Sequence, residues 1–133
     1  MTFEDAIEAL GAEFGVALSA EGGTASFEVA SEGGDFEPVN VTFTYEPEGD
    51  MLLVSADAGE VDLESGDEPL LKMLEANHMF SGTAGASFCL DDGRAKLQRR
   101  IRLDAFWREG GKDILTSLFK SVQAWRQQSK PAL

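Results

Sequence analysis

Between Leu70 and Asp104 the chain passes from a helical apolar pattern into two short alternating runs. That order reads as a short helix, a glycine break and a two-stranded hairpin. Leu70, Leu71, Met73, Leu74 and Phe80 form a short helix that is apolar on more than one face. Glycines follow, then a strand near 83–90, a tight Asp91-Asp92-Gly93-Arg94 turn, and a second strand near 95–103. In that last strand Leu97, Ile101 and Leu103 share a face with Arg99, while Lys96, Gln98, Arg100 and Arg102 point the other way.

The segment before residue 70 supplies the partners such a hairpin needs. Thr2 can cap a first helix, with Asp5 as the acidic half of a capping box. Phe3, Ile7, Leu10 and Phe14 then recur on one face, and Gly15 sits where a helix usually ends. Ala25, Phe27 and Val29 alternate with polar residues as a half-buried strand, and Gly33-Gly34 breaks it. Val39, Val41, Phe43 and Tyr45 form a clearer second strand. A turn over Pro47–Asp50 leads into a third strand at 51–56, and Asp57–Glu68 reads as an acidic loop. Pro69 suits the first turn of the next helix, where an amide hydrogen would have no helical partner. After the hairpin, Asp104 caps a short turn at 105–108, and Gly110-Gly111 interrupts it. Ile114, Leu115, Leu118, Phe119, Val122 and Trp125 continue at helical spacing, and the tail from Ser129 is expected to fray. The predicted fold is α+β: a twisted antiparallel sheet of about five strands with three helices, ordered α-β-β-β-α-β-β-α.

A chain of 133 residues is expected to be a single domain over residues 1–133, burying roughly two-thirds of its unfolded surface. Hydrophobic residues make up 43% of it, enough for a core despite a formal net charge of -13. The charge is unevenly placed. Residues 1–71 hold 18 acidic side chains and no lysine or arginine, whereas the rest holds 11 basic and 6 acidic ones. A phosphate-binding surface needs clustered cations, so nucleic-acid binding by the first half is not expected. The acidity serves solubility, attraction of basic partner segments, or both. Arg99, Arg100 and Arg102 are split between strand faces and are expected to pair with neighbouring acids. No apolar run approaches the ~20 residues that span a bilayer. The acidic start MTFEDAIEALG is unlike a secretory leader. With Cys89 as the lone cysteine, a reducing cytoplasm fits.

Chemistry finds little support. His78 is the only histidine and Cys89 the only cysteine, with no recognisable orienting group for either. A zinc site needs about four well-placed ligands. The acidic 57–68 segment lacks the spacing of a calcium loop, and the glycine pairs match no phosphate-binding pattern. The expectation is a protein without enzymatic activity, metal or cofactor. The first helix face can serve as core or as groove. The second helix has more apolar faces than one small sheet can cover, which implies a partner, most simply a second copy.

The phrase LLKMLEANHMFSGTAGASFCLDDGRAKLQRRIRLD resembles the class I chaperones of bacterial type III secretion, the CesT-like effector chaperones. There a helix ending in a "LLxANxFxxGT" phrase runs into a "GASFxLDxxGxLxLxRRIxLD"-like hairpin. The matching residues include Leu70, Leu71, Leu74, Ala76, Asn77, Phe80, Gly82, Thr83, Gly85, Leu90, Asp91, Gly93, Leu97, Arg99, Ile101, Leu103 and Asp104. The resemblance implies a cytoplasmic bacterial homodimer. It would hold the N-terminal segment of a secreted effector in extended form, without ATP, and present it to the export machinery, with the secretion ATPase as a further partner. It would place client binding on Phe3, Ile7, Leu10 and Phe14 of the first helix and on Val39, Val41 and Phe43 of the sheet. It would place the dimer interface on Leu70, Leu71, Leu74, His78, Leu97 and Arg99. The alternative is a small acidic inhibitor or nucleic-acid mimic that blocks a basic partner.

Overall fold

A computed structural model of the chain describes residues 2–14, 18, 20–29, 38–64, 66–78 and 85–129. Its elements are α1 (Phe3–Phe14), β1 (Thr24–Val29), β2 (Val39–Glu46), β3 (Met51–Glu60), α2 (Glu68–Asn77), β4 (Ser87–Asp91), β5 (Arg94–Arg102), α3 (Leu103–Glu109) and α4 (Gly111–Ser129). The expected helix end at Gly15, the Gly33-Gly34 break, Phe80, Gly82 and Thr83 lie outside the described residues.

The capping box at the start of α1 forms in both directions. Thr2 Oγ1 accepts the Asp5 N–H at 3.1 Å, and Asp5 Oδ2 accepts the Thr2 N–H at 3.4 Å. Two amide hydrogens at the start of the helix thereby gain partners. The five strands pair antiparallel throughout, in the order β1-β2-β3-β5-β4. The β4–β5 turn needs two left-handed residues, and Asp92 (φ 52°) with Gly93 (φ 76°) supplies them.

Alternation gives the sheet one apolar face. Val41, Phe43, Leu52, Val54, Ala56, Ala95 and Leu97 are fully buried there. Ile7 of α1 joins them, with Phe106 of α3 and Leu115, Leu118 and Val122 of α4. Each of the larger side chains among them contributes roughly 1.5–3 kcal/mol by leaving water. Aromatic contacts bind the layers: Phe43 stacks on Phe27 at 5.9 Å and meets Phe106 edge-on at 6.1 Å, and Phe88 meets Trp125 at 4.9 Å. The other face carries a polar cross-strand row, Ser26, Thr42, Ser55, Gln98 and Ser87. Ser26 and Thr42 hydroxyls lie 3.2 Å apart, and Gln98 Nε2 donates to Ser55 Oγ at 3.4 Å.

Two expectations need correction. The described residues form four helices, because the segment read as a short turn is α3, and Gly110 (φ 89°) ends it one residue before α4 starts. Leu103 and Phe106, three apart, are buried and anchor it. The second correction concerns Asp57–Glu68, where the loop begins only at Val61. Ala58 continues the apolar face of β3, while Asp57 turns to Arg94 across the sheet at 2.8 Å. Burial pushes the Asp57 carboxyl up, but Arg94 and the Gly59 N–H more than offset it, leaving its pKa lowered.

Candidate partner-binding surfaces

The exposed side of α2 is the clearest surface for a partner. With helical spacing, Leu70 and Met73 turn inward, and Met73 is buried while Leu70 packs half-buried on the core. Leu71 and Leu74 turn outward, exposed by 56% and 66%, and the exposed His78 continues their stripe one turn on. Three of the six residues assigned to a dimer face therefore share one exposed strip. Leu97 does not, since alternation puts it at the centre of the core face with no exposed surface. Arg99 is half-buried, and its guanidinium lies 3.5 Å from Glu109.

Asn77 fixes where this strip sits. Its side chain donates to the Phe88 carbonyl at 3.0 Å and accepts the Phe88 N–H at 2.7 Å. β4 is an edge strand whose Cys89 and Asp91 face β5 partners across a two-residue turn. The backbone groups of Phe88 consequently point outward, and the Asn77 amide occupies them as a neighbouring strand would. Asn77→Ala should cost about 1–3 kcal/mol by orphaning both groups. Urea unfolding will show the loss, and amide exchange at Phe88 should accelerate.

The client-binding assignment needs correction for six of its seven residues. Phe3, Ile7 and Leu10 of α1 and Val39, Val41 and Phe43 of β2 are at most 3% exposed. The face of α1 lies against the sheet and α4, and the alternating face of β2 is the centre of the core; of these six residues only Leu10 keeps an edge open, onto a small notch beside α3. Phe14 alone is half-buried, 5.9 Å from Phe27 and 6.5 Å from Phe119, with the Lys112 ammonium 5.8 Å above its ring. Sequence reasoning missed Leu63, Leu90 and Trp107, which are 42%, 42% and 45% exposed. For Trp107 the signal was available: beside Phe106 in a helix, adjacent residues point about 100° apart, so one goes in and the other out.

Charge is divided by position. Arg94, Lys96, Arg100 and Arg102, all outward on β5, lie against Asp57, Asp91, Glu46 and Asp104 at 2.8, 2.8, 2.8 and 3.6 Å. The arginine cluster is thus paired. On α1, Glu4, Glu8 and Glu13 are exposed and form no ion pair among the described residues. Burial pushes the Cys89 thiol up, Asp91 adds to it, and the neutral form that results is a poor nucleophile. Among the described residues no helix is long and apolar enough to cross a membrane.

The family model described as "Tir chaperone protein (CesT) family" matches residues 5–126. Similar solved structures include a chain of the ExsC-ExsE complex, at 18% identity and TM-score 0.76, covering 100% of both chains. A chain of the HopA1-SchA chaperone-effector complex aligns at 15% identity and TM-score 0.72, over 94% of this chain and 93% of that one. A chain of the heterodimeric ExoU-SpcU complex from the type III secretion system of Pseudomonas aeruginosa aligns at 16% and 0.68, over 98% and 100%. At these identities the structural likeness establishes the fold. No curated protein matches the chain by sequence. The chain belongs to the Tir chaperone protein (CesT) family, the class I chaperones of type III secretion. That membership favours the chaperone over the acidic inhibitor.

Proposed function

We propose that the chain works as a homodimer in the bacterial cytoplasm, holding the N-terminal segment of a secreted effector in extended form without ATP. The observation that carries this is the exposed strip Leu71, Leu74 and His78 on a helix of a chain whose family model spans residues 5–126. Two such strips facing each other across a twofold axis bury apolar surface that one copy leaves wet. The similar ExsC-ExsE and HopA1-SchA structures are complexes, the second of a chaperone with its effector. We extend that partnership to this chain, with presentation to the secretion ATPase as the following step. A client segment of roughly 50–100 residues, reaching about 3.3 Å per residue, is long enough to wrap a dimer of this size.

A strand edge for such a segment exists on β1. Glu21 closes its start by exchanging hydrogen bonds with Thr24 at 2.9 and 3.1 Å. Beyond it, the outward backbone groups of Ser26 and Glu28 receive no bond from another backbone segment among the described residues. The role is one of binding and not of catalysis. Cys89→Ser, on β4 and outside the exposed α2 strip, should leave effector binding nearly intact.

Sedimentation equilibrium tests the dimer. Leu71→Asp and Leu74→Asp fall on exposed positions, so each should change monomer stability by only about 0.5 kcal/mol. At a twofold interface each substitution counts twice and puts two carboxylates into apolar contact, which should weaken the dimer by several kcal/mol. A wild type that is monomeric at all concentrations refutes the homodimer. Recovery from host lysate of a secreted protein, protected from protease by the chaperone only along its N-terminal segment, tests the client. A partner that binds as a folded domain refutes the extended-chain model.

A further inference from the structure

A notch opens between α1 and the elbow where α3 meets α4. Its apolar walls are Ala6, Leu10, Phe106 and Gly111, and Glu13 and Trp107 stand at its rim. The elbow brings α4 close enough that a side chain at Gly111 would overlap Phe106. The notch is half open and has a volume of about 70 Å³. A dry cavity of about 150 Å³ holds a benzene ring, so a notch of this smaller size suits the end of an aliphatic side chain better than an aromatic ring.

The rim selects what comes next to that group. Glu13 is the one charged residue lining the notch, and it has no hydrogen bond or ion pair among the described residues. The cations that follow Trp107 in sequence are engaged elsewhere: Arg108 lies 3.8 Å from Asp104, and Lys112 sits over the Phe14 ring. Trp107, 45% exposed, offers the face of an indole, which attracts a cation. A carboxylate and an indole flanking one apolar notch match a side chain of two chemistries in succession, aliphatic and then basic.

We propose that this notch is a client subsite that takes a leucine, isoleucine, valine or methionine side chain whose neighbour is a lysine or arginine, the cation lying between Glu13 and Trp107. The proposal rests on the chaperone function above. It adds the residue-level rule by which an acidic surface distinguishes one stretch of an extended segment from another. Trp107 acts here as the anchor wall, and Glu13 sets the charge preference.

The test uses the full chain and the synthetic peptide acetyl-Gly-Ser-Leu-Lys-Ser-Gly-amide. The readout is the indole N–H resonance of Trp107, with the buried Trp125 as an internal reference. The peptide should move the Trp107 signal saturably and leave Trp125 in place. Replacing the peptide leucine by serine should weaken binding about tenfold, since an aliphatic group then stays in water. Replacing the peptide lysine by glutamate should weaken it about two- to fivefold or more, the size expected of a partly exposed ion pair. Glu13→Lys, at an exposed position that leaves the fold intact, should reverse the lysine-over-glutamate preference. The proposal is overturned by a Trp107 signal that does not move, by equal binding of the leucine and serine peptides, or by a preference unchanged in Glu13→Lys. Effector retained with unaltered affinity by Glu13→Lys and Trp107→Ala would remove the subsite and leave the chaperone function standing.

Discussion

Gly111→Ala should lower the stability of the chain by about 2–3 kcal/mol, a large effect for a single methyl group. A Cβ at this position would sit 2.5 Å from Phe106 Cζ, 2.6 Å from Phe106 Cε1 and 3.2 Å from Leu10 Cδ1. Phe106 cannot retreat, because it is 1% exposed and its ring meets Phe43 edge-on. Either the ring leaves its rotamer or α4 moves off α1, and both lose packing across the layer. For a domain of this size the melting temperature should fall by roughly 10 °C, as a thermal scan followed by circular dichroism will show. The double variant Gly111→Ala with Phe106→Leu should be more stable than the sum of the two changes, because the smaller side chain vacates the contested space. Additivity in that cycle, or a Gly111→Ala as stable as wild type, would mean that the helices do not meet at this point.

That same glycine marks a limit of what the chain discloses before folding. Two glycines in a row read as a break, and the break exists, since Gly110 ends α3 and Gly111 opens α4. What the pattern hides is that the second glycine is there for Leu10, far away in sequence on α1, as well as for Phe106. Local signals were legible wherever their physics is local. The Thr2–Asp5 capping box, Pro69 in the first turn of α2 and the Asp92-Gly93 turn all formed as expected. Alternation in β2 and β5 was legible too, and it separated Leu97 from Arg100 correctly. Alternation does not say whether an apolar face meets the chain's own helices or another molecule. Val39, Val41 and Phe43 had the pattern that either use requires, and the helical layer over the sheet, with Phe106 of α3 against Phe43, decides for the core. For α2 the surplus was visible because Leu71 and Leu74 leave too many apolar faces for one sheet. For Trp107 the helical signal was present beside Phe106, but the segment looked too short and glycine-broken to be a helix.

The core assignment of β2 leads to a second large effect, one that separates folding from binding. Phe43→Ala should cost about 3–5 kcal/mol, a substantial share of the ~5–15 kcal/mol that stabilises a domain. The ring is fully buried between Phe27, stacked at 5.9 Å and 3°, and Phe106, edge-on at 6.1 Å and 72°. Cross-strand neighbours Ala25 and Val54 are too small to fill the space it leaves. Its removal opens a cavity beneath α3 and α4 and loosens the elbow that forms the notch. Effector binding should then fall in step with the folded fraction, as denaturant curves and binding measured on the same samples will show. Leu74→Ala should do the opposite. It removes a side chain that is 66% exposed, so unfolding should be nearly unchanged while self-association weakens. A Phe43→Ala variant that stays as stable as wild type yet loses its effector would return β2 to the binding surface. Parallel loss of stability and binding, with Leu74→Ala folded but weakly associated, places the core on the sheet and the interface on α2.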